Sequence, residues 1–159
     1  MDDKFDEFDI PYDVLWLDIK HVDGKRHFTW GNLLFLNPGE MQNKLMEKGQ
    51  HMVAIVNPHI KRDHGLPLHK EVTQKGYYVK DFHGNDYDGW CWPGASSYLD
   101  MLNPEIRSWW ADKFSLSSYK GSTPSLYIWN DMNEPSVFNS LDVCYCSHRT
   151  PLFSLIFFI

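Results

Sequence analysis

The run SLYIWND, residues 125–131, decides how the rest of the chain is read. It follows the breaker-rich Gly121-Ser-Thr-Pro124, is almost wholly apolar, and ends on a carboxylate. A short run with both parities apolar suits a strand covered on both faces, as in a parallel sheet flanked by helices. Two more runs upstream share this character. VLWLDI (residues 14–19) follows Pro11, and its apolar stretch ends at Asp18. HMVAIVNP (residues 51–58) is β-branched and closes on Asn-Pro.

Helices are expected between them. From Pro38 to about Gly49, Met41, Leu45 and Met46 recur at helical spacing, and Gly49 is a stop. Asn103-Pro104-Glu105 offers an N-cap, a proline at the first helical position and an acid in the first turn. That helix is expected to reach about Tyr119 and to bury Ile106, Trp109, Trp110 and Phe114. The alternation indicates an α/β fold of right-handed βαβ units. The long excursion over residues 61–100 is expected to hold a helix near residues 68–75 and an extended piece at 76–80. A glycine- and aromatic-rich loop, DYDGWCWPG (residues 86–94), completes it.

Composition narrows the function. The 159 residues carry a net charge of −6, with 43% hydrophobic and 23% charged positions, which excludes disordered and collagenous chains. An acidic balance argues against nucleic acid as a partner, since that needs a basic face. Much of the acidity is local: residues 1–13 hold six acids against one lysine. Cys91, Cys144 and Cys146 cannot all pair within one chain and lack zinc-finger spacing, so a disulfide framework is excluded. The terminal PLFSLIFFI is too short for a membrane span, which needs about 20 residues, and no targeting segment is visible.

In a parallel α/β sheet or barrel the site lies at the carboxyl ends of the strands. Asp18 and Asp131 end two runs and His59 follows the third, so all three are expected at one mouth. A lone strand-end aspartate most simply caps a helix or turn. Each of these, however, lies near an indole, Trp16 and Trp129, and indoles beside carboxylates grip sugars by stacking while the acids bind hydroxyls. Trp90 and Trp92 add two indoles to the same rim, or else close a small core. His59, His64 and His69 recur every five residues, a spacing that leaves one helix face, and no metal site is expected.

Four blocks resemble one enzyme family. YIWNDMNEPSVF (residues 127–138) strongly resembles the nucleophile signature of the α-glucosidases of glycoside hydrolase family 31. YDVLWLDI (12–19), HMVAIVNPHIKRD (51–63) and DGWCWPGASSYLDMLNPEIRSWW (88–110) are similar to further blocks of that family. The resemblance covers roughly residues 5–139 and implies an incomplete part of a (β/α)8 TIM barrel, about strands 2–4. Residues 1–139 would be a partial catalytic barrel and residues 140–159 a divergent tail outside the fold, since Gly-Pro-Glu is expected after Asn139. The sequence also departs from the family at Lys20, Gly31 and Leu36, where Glu, Asp and Pro are usual.

The resemblance implies retaining hydrolysis of terminal α-linked glucose. Asp131 would be the nucleophile and Asp18 would bind glucose hydroxyls. Ile55, Trp92, Trp129, Met132 and Phe138 would wall the subsite, with Glu134 supporting it. No metal or organic cofactor is implied. The substrate would be an α-glucoside or a glucosylated N-glycan, with a regulatory β subunit as partner and the endoplasmic-reticulum lumen as location. The family's acid/base is a separate aspartate on a later strand, so this chain is expected to be inactive alone. The rival readings are a non-catalytic carbohydrate-binding fragment and an unfolded truncated gene product.

Overall fold

The computed structural model describes residues 2–134 and 136–138. The expected divergent tail, residues 140–159, lies outside them. In chain order the elements are α1 (Asp2–Glu7), β1 (Val14–Leu17), α2 (Pro38–Glu47), β2 (His51–Val56), β3 (His59–Lys61), α3 (Pro67–Lys75), β4 (Gly89–Cys91), β5 (Gly94–Tyr98), α4 (Pro104–Asp112) and β6 (Leu126–Asn130). Two short 3-10 turns, Ile19–His21 and Asp23–Lys25, follow β1.

The three expected strands form one parallel sheet in the order β1-β2-β6. Leu17 pairs with Ala54, and Ala54 with Ile128. Leu15, Met52, Leu126, Leu17 and Ile128 share one face and pack with Leu45 of α2, Trp30 and Tyr119. A second apolar cluster joins Val56, Ile60, Val72, Tyr78, Ile106, Trp109 and Trp110. The buried amide of Gln42 ties α2 to the approach of β6. Its Nε2 donates to the carbonyls of Pro38 and Gly121 at 2.9 Å each, and its Oε1 accepts from the Thr123 amide at 2.8 Å. A buried amide with its bonds made fixes one docking of the two elements.

The opposite face of the sheet is open. Val14, Trp16 and Tyr127, which alternate with the packed residues, are 45%, 63% and 55% exposed. The described residues close no barrel; their parallel strands form an open sheet.

The excursion is more ordered than its sequence indicates. The expected aromatic loop at 86–94 contains a hairpin, β4–β5, which joins β3 in a second sheet, antiparallel, in the order β3-β5-β4. Gly94, at φ 100°, turns the hairpin where a side chain would be strained. The helix begun at Asn103 is also shorter than expected. Asn103 does cap it, its Oδ1 accepting the Glu105 amide at 2.9 Å. It stops at Asp112, where Ser115 Oγ donates to the Asp112 carbonyl at 2.7 Å and competes with a further turn. Tyr119 therefore lies outside the helix, buried and stacked on Trp30 at 5.7 Å. The acidic start folds as α1, whose Asp2 and Asp6 hold Lys48 at 3.0 and 2.5 Å.

Candidate active site

Asp18 lies one residue past β1, and Asp131 one residue past β6. The two strands flank β2, so both carboxylates stand at the carboxyl end of the parallel sheet. Asp18 is extended (φ −80°, ψ 178°) and continues the alternation of β1. The Asp131 amide still reaches the Val56 carbonyl at 3.3 Å, which extends the β6 ladder to Asp131 itself. Side chains alternate across a strand, and paired rows share a face. Asp18, Ile55, Trp129 and Asp131 therefore lie on the open face with Trp16, away from α2.

Trp16 and Trp129 meet edge to face, with centroids 4.9 Å apart. Ile55, between their strands, is buried. Asp131 is half-buried and Asp18 exposed. The bland role expected of a strand-end aspartate holds for Asp18 as well, because its Oδ1 accepts the Ile19 amide at 2.5 Å as the cap of the first 3-10 turn. Among the described residues its second oxygen makes no hydrogen bond. The Asp18 main chain is fixed from behind by the buried His21, whose Nδ1 donates to the Asp18 carbonyl at 2.9 Å. His21 Nε2 then accepts from the Tyr119 hydroxyl at 3.2 Å. Burial lowers the His21 pKa and keeps the ring neutral.

Beyond Asp131 the chain turns sharply at Met132, a non-glycine residue at φ 58°. Side chains in that left-handed region are uncommon and mark a backbone held by its surroundings. The segment then crosses to the hairpin. The Phe138 amide donates to the Trp90 carbonyl at 2.8 Å, and the Tyr98 hydroxyl to the Ser136 carbonyl at 2.7 Å. The Phe138 ring meets Trp92 edge to face at 4.9 Å. Trp90 and Trp92 are 52% and 51% exposed, so they form a rim and not a small core. Glu134 is exposed, and its charge adds to burial in raising the pKa of the Cys91 thiol.

His59 departs from its expected place at the mouth. It opens β3 fully buried, its ring 5.7 Å from that of His27. His69 Nδ1 is paired with the Tyr78 hydroxyl at 2.8 Å. Among the described residues no group of three or more His, Cys, Asp and Glu could hold a metal ion. Also among the described residues, no helix is long and apolar enough to cross a membrane.

Sequence reasoning missed the loop that joins the two sheets. After Asp18, Arg26 donates from Nε and Nη2 to Asp63 Oδ2 at 2.9 and 2.7 Å, holding that carboxyl below the usual carboxylate range. Lys25 Nζ donates to the Trp92 carbonyl at 2.8 Å. The partners are 37 and 67 residues away, and only the positive charge of the Asp23-Gly-Lys-Arg26 run hinted at them.

Residues 1–153 match the family model described as the glycosyl hydrolases family 31 TIM-barrel domain. The chain is 71% identical over 143 residues to a probable glucan 1,3-alpha-glucosidase of Oryza sativa subsp. japonica, covering 90% of this chain and 16% of the relative. It is 64% identical over 143 residues to neutral alpha-glucosidase AB of Dictyostelium discoideum, covering 90% and 15%. A similar fold appears in the crystal structure of an ER glucosidase II heterodimeric complex of the catalytic subunit and the binding domain of the regulatory subunit. There the TM-score is 0.81 at 45% identity, over 87% of this chain and 15% of that one. The chain thus spans about a sixth of the length of the relatives it matches. Its parallel sheet, strand-end aspartates and aromatic rim accord with that match: the chain belongs to glycosyl hydrolase family 31, as part of the family's TIM barrel.

Proposed function

We propose that the chain forms the nucleophile-bearing sector of an enzyme that hydrolyses terminal α-linked glucose with retention of configuration. The observation that carries this reading is the pair of carboxylates, Asp18 and Asp131, at the ends of strands flanking β2 on the face of the Trp16–Trp129 pair. In this reading Asp131 attacks the anomeric carbon and forms a glycosyl ester. The departing oxygen takes a proton from an acid, and water then cleaves the ester with that group acting as base. Asp18 accepts hydrogen bonds from glucose hydroxyls. Ile55 and Trp129 form the floor, Met132 aims the segment past the nucleophile, and Trp92 with Phe138 forms the rim. Glu134 supports that segment. Two carboxyl groups suffice, without a metal or organic cofactor.

The acid/base is assigned to another part of the barrel, so these 159 residues alone bind glucose without turning over a glucoside. The likeness to a catalytic subunit of ER glucosidase II supports a finer assignment: a glucosylated N-glycan as substrate, a regulatory β subunit as partner and the endoplasmic-reticulum lumen as location. Calorimetry with glucose and turnover of an aryl α-glucoside test the core of the reading. Saturable binding that is weakened more than about ten-fold by Asp18→Ala, with no turnover, is expected, since a lost charge-assisted bond costs about 1.5–3 kcal/mol. No binding at high millimolar glucose would overturn it. Turnover abolished by Asp131→Ala would overturn the assignment of the acid to another part.

A further inference from the structure

We propose that Lys25 is a positioning residue that sets the place of the Trp92 rim relative to Asp18. The sugar-binding role of Trp92 that gives this importance rests on the function proposed above. Asp18 belongs to the parallel sheet and Trp92 to the antiparallel hairpin, so the distance between them depends on how the two sheets are joined. The loop that begins at Asp18 spans that gap within seven residues and ends its reach on the Trp92 carbonyl, at 2.8 Å from Lys25 Nζ.

The loop is shaped for that contact at a cost. Gly24 and Lys25 take successive left-handed conformations, φ 54° and 60°. A lysine there is strained and persists only where its surroundings over-determine it. Those surroundings are β3, the segment just after it and the turn's own Asp23. Lys61 Nζ of β3 donates to the Gly24 carbonyl at 2.8 Å, and Arg26 grips both Asp63 and Asp23. The turn is therefore clamped on either side of Lys25, and its ammonium is presented to the hairpin tip.

Trp92 needs such an anchor. It sits at the tip between β4 and β5, half its surface is exposed, and among the described residues its aromatic contact is the edge of Phe138. With little packing to locate the indole, its height above the mouth follows the main chain that carries it. A hydrogen bond to its own carbonyl acts directly on that main chain. It also needs only a donor of suitable reach, so arginine can replace lysine and methionine cannot.

Fluorine NMR of the 159-residue chain labelled with 5-fluorotryptophan reads the anchor without any ligand. Trp92→Phe identifies the Trp92 resonance. Lys25→Met is expected to shift and broaden that resonance, to leave those of the buried Trp109 and Trp110 in place, and to leave the urea midpoint unchanged. Lys25→Arg is expected to restore the resonance. In calorimetry, Lys25→Met weakens glucose binding about five-fold, the loss expected for one hydrogen bond, and Lys25→Arg recovers it. An unmoved Trp92 resonance in Lys25→Met, or no recovery in Lys25→Arg, would overturn the proposal. A chain that binds no glucose would sink the sugar reading instead, and the fluorine spectra would still decide the anchor.

Discussion

Phe28 has a φ of 62°, a conformation that a bulky side chain adopts only under compulsion. Its ring supplies that compulsion, meeting Trp110, Phe114 and Tyr119 edge on at 5.1, 5.1 and 5.4 Å. The ring thus pins the loop after Asp18 to the helical layer, while Arg26 pins it to the antiparallel sheet. Phe28→Ala removes the ring and keeps the strain. It is expected to cost about 3 kcal/mol, near the lower end for truncating an aromatic ring, read as a fall in the urea midpoint. At this scale the sequence was informative about Asp18, Asp131 and Trp129, because a strand-end acid and a nearby indole lie close along the chain. It said little of His21, Lys25 and Arg26. Their partners are 98, 67 and 37 residues away, and no local period encodes such contacts.

Among the elements, the parallel strands were legible because continuous apolar runs bounded by breakers have few other uses. The hairpin β4–β5 was not. Its strands are 3 and 5 residues long, and glycine, serine and tryptophan give them no alternation. Pairing with β3 makes it a sheet, and a pairing partner is tertiary information. Gly89 shows how closely the hairpin is fitted to the segment after Asp131. A Cβ there would lie 2.9 Å from Tyr98 Cε2, 3.1 Å from Tyr87 Cε1 and 3.2 Å from Val137 Cγ1. Gly89→Ala is expected to push residues 136–138 off the hairpin at a cost of about 1–3 kcal/mol, the usual range for overpacking. Hydrogen exchange checks this at the Phe138 amide, which should lose protection while the β2 amides keep theirs.

For the molecule as a whole, the buried histidines contribute to the response to acid. His27 and His59 face each other across 5.7 Å, with His21 near and, among the described residues, no carboxylate hydrogen-bonded to either ring. Burial, aided by repulsion from His59 and His21 once these are protonated, lowers the pKa of His27 from 6.5 to about 3, and burial lowers that of His59 to about 4. The unfolded chain binds these protons below pH 6.5, and the folded chain refuses them until near pH 4 at His59 and near pH 3 at His27. Their contribution is therefore complete above pH 6.5 and declines as the pH falls toward those values. At pH 5 each histidine contributes about 2 kcal/mol less than at neutral pH. Urea midpoints at pH 7.5 and pH 5 check the decline, and His27→Phe should flatten it. An equal decline in that variant would assign the acid sensitivity elsewhere.

The central strand carries a further consequence. Because β2 pairs with both neighbours, it acts as a ruler between the two acids. Two strand spacings put Asp18 and Asp131 about 9.6 Å apart across the sheet, and the two-residue offset along it adds about 6.6 Å. Neither length depends on side-chain choice at the mouth. In the proposed function, substitutions there alter grip and chemistry, but the spacing of the two acids on either side of Ile55 is held by main-chain hydrogen bonds.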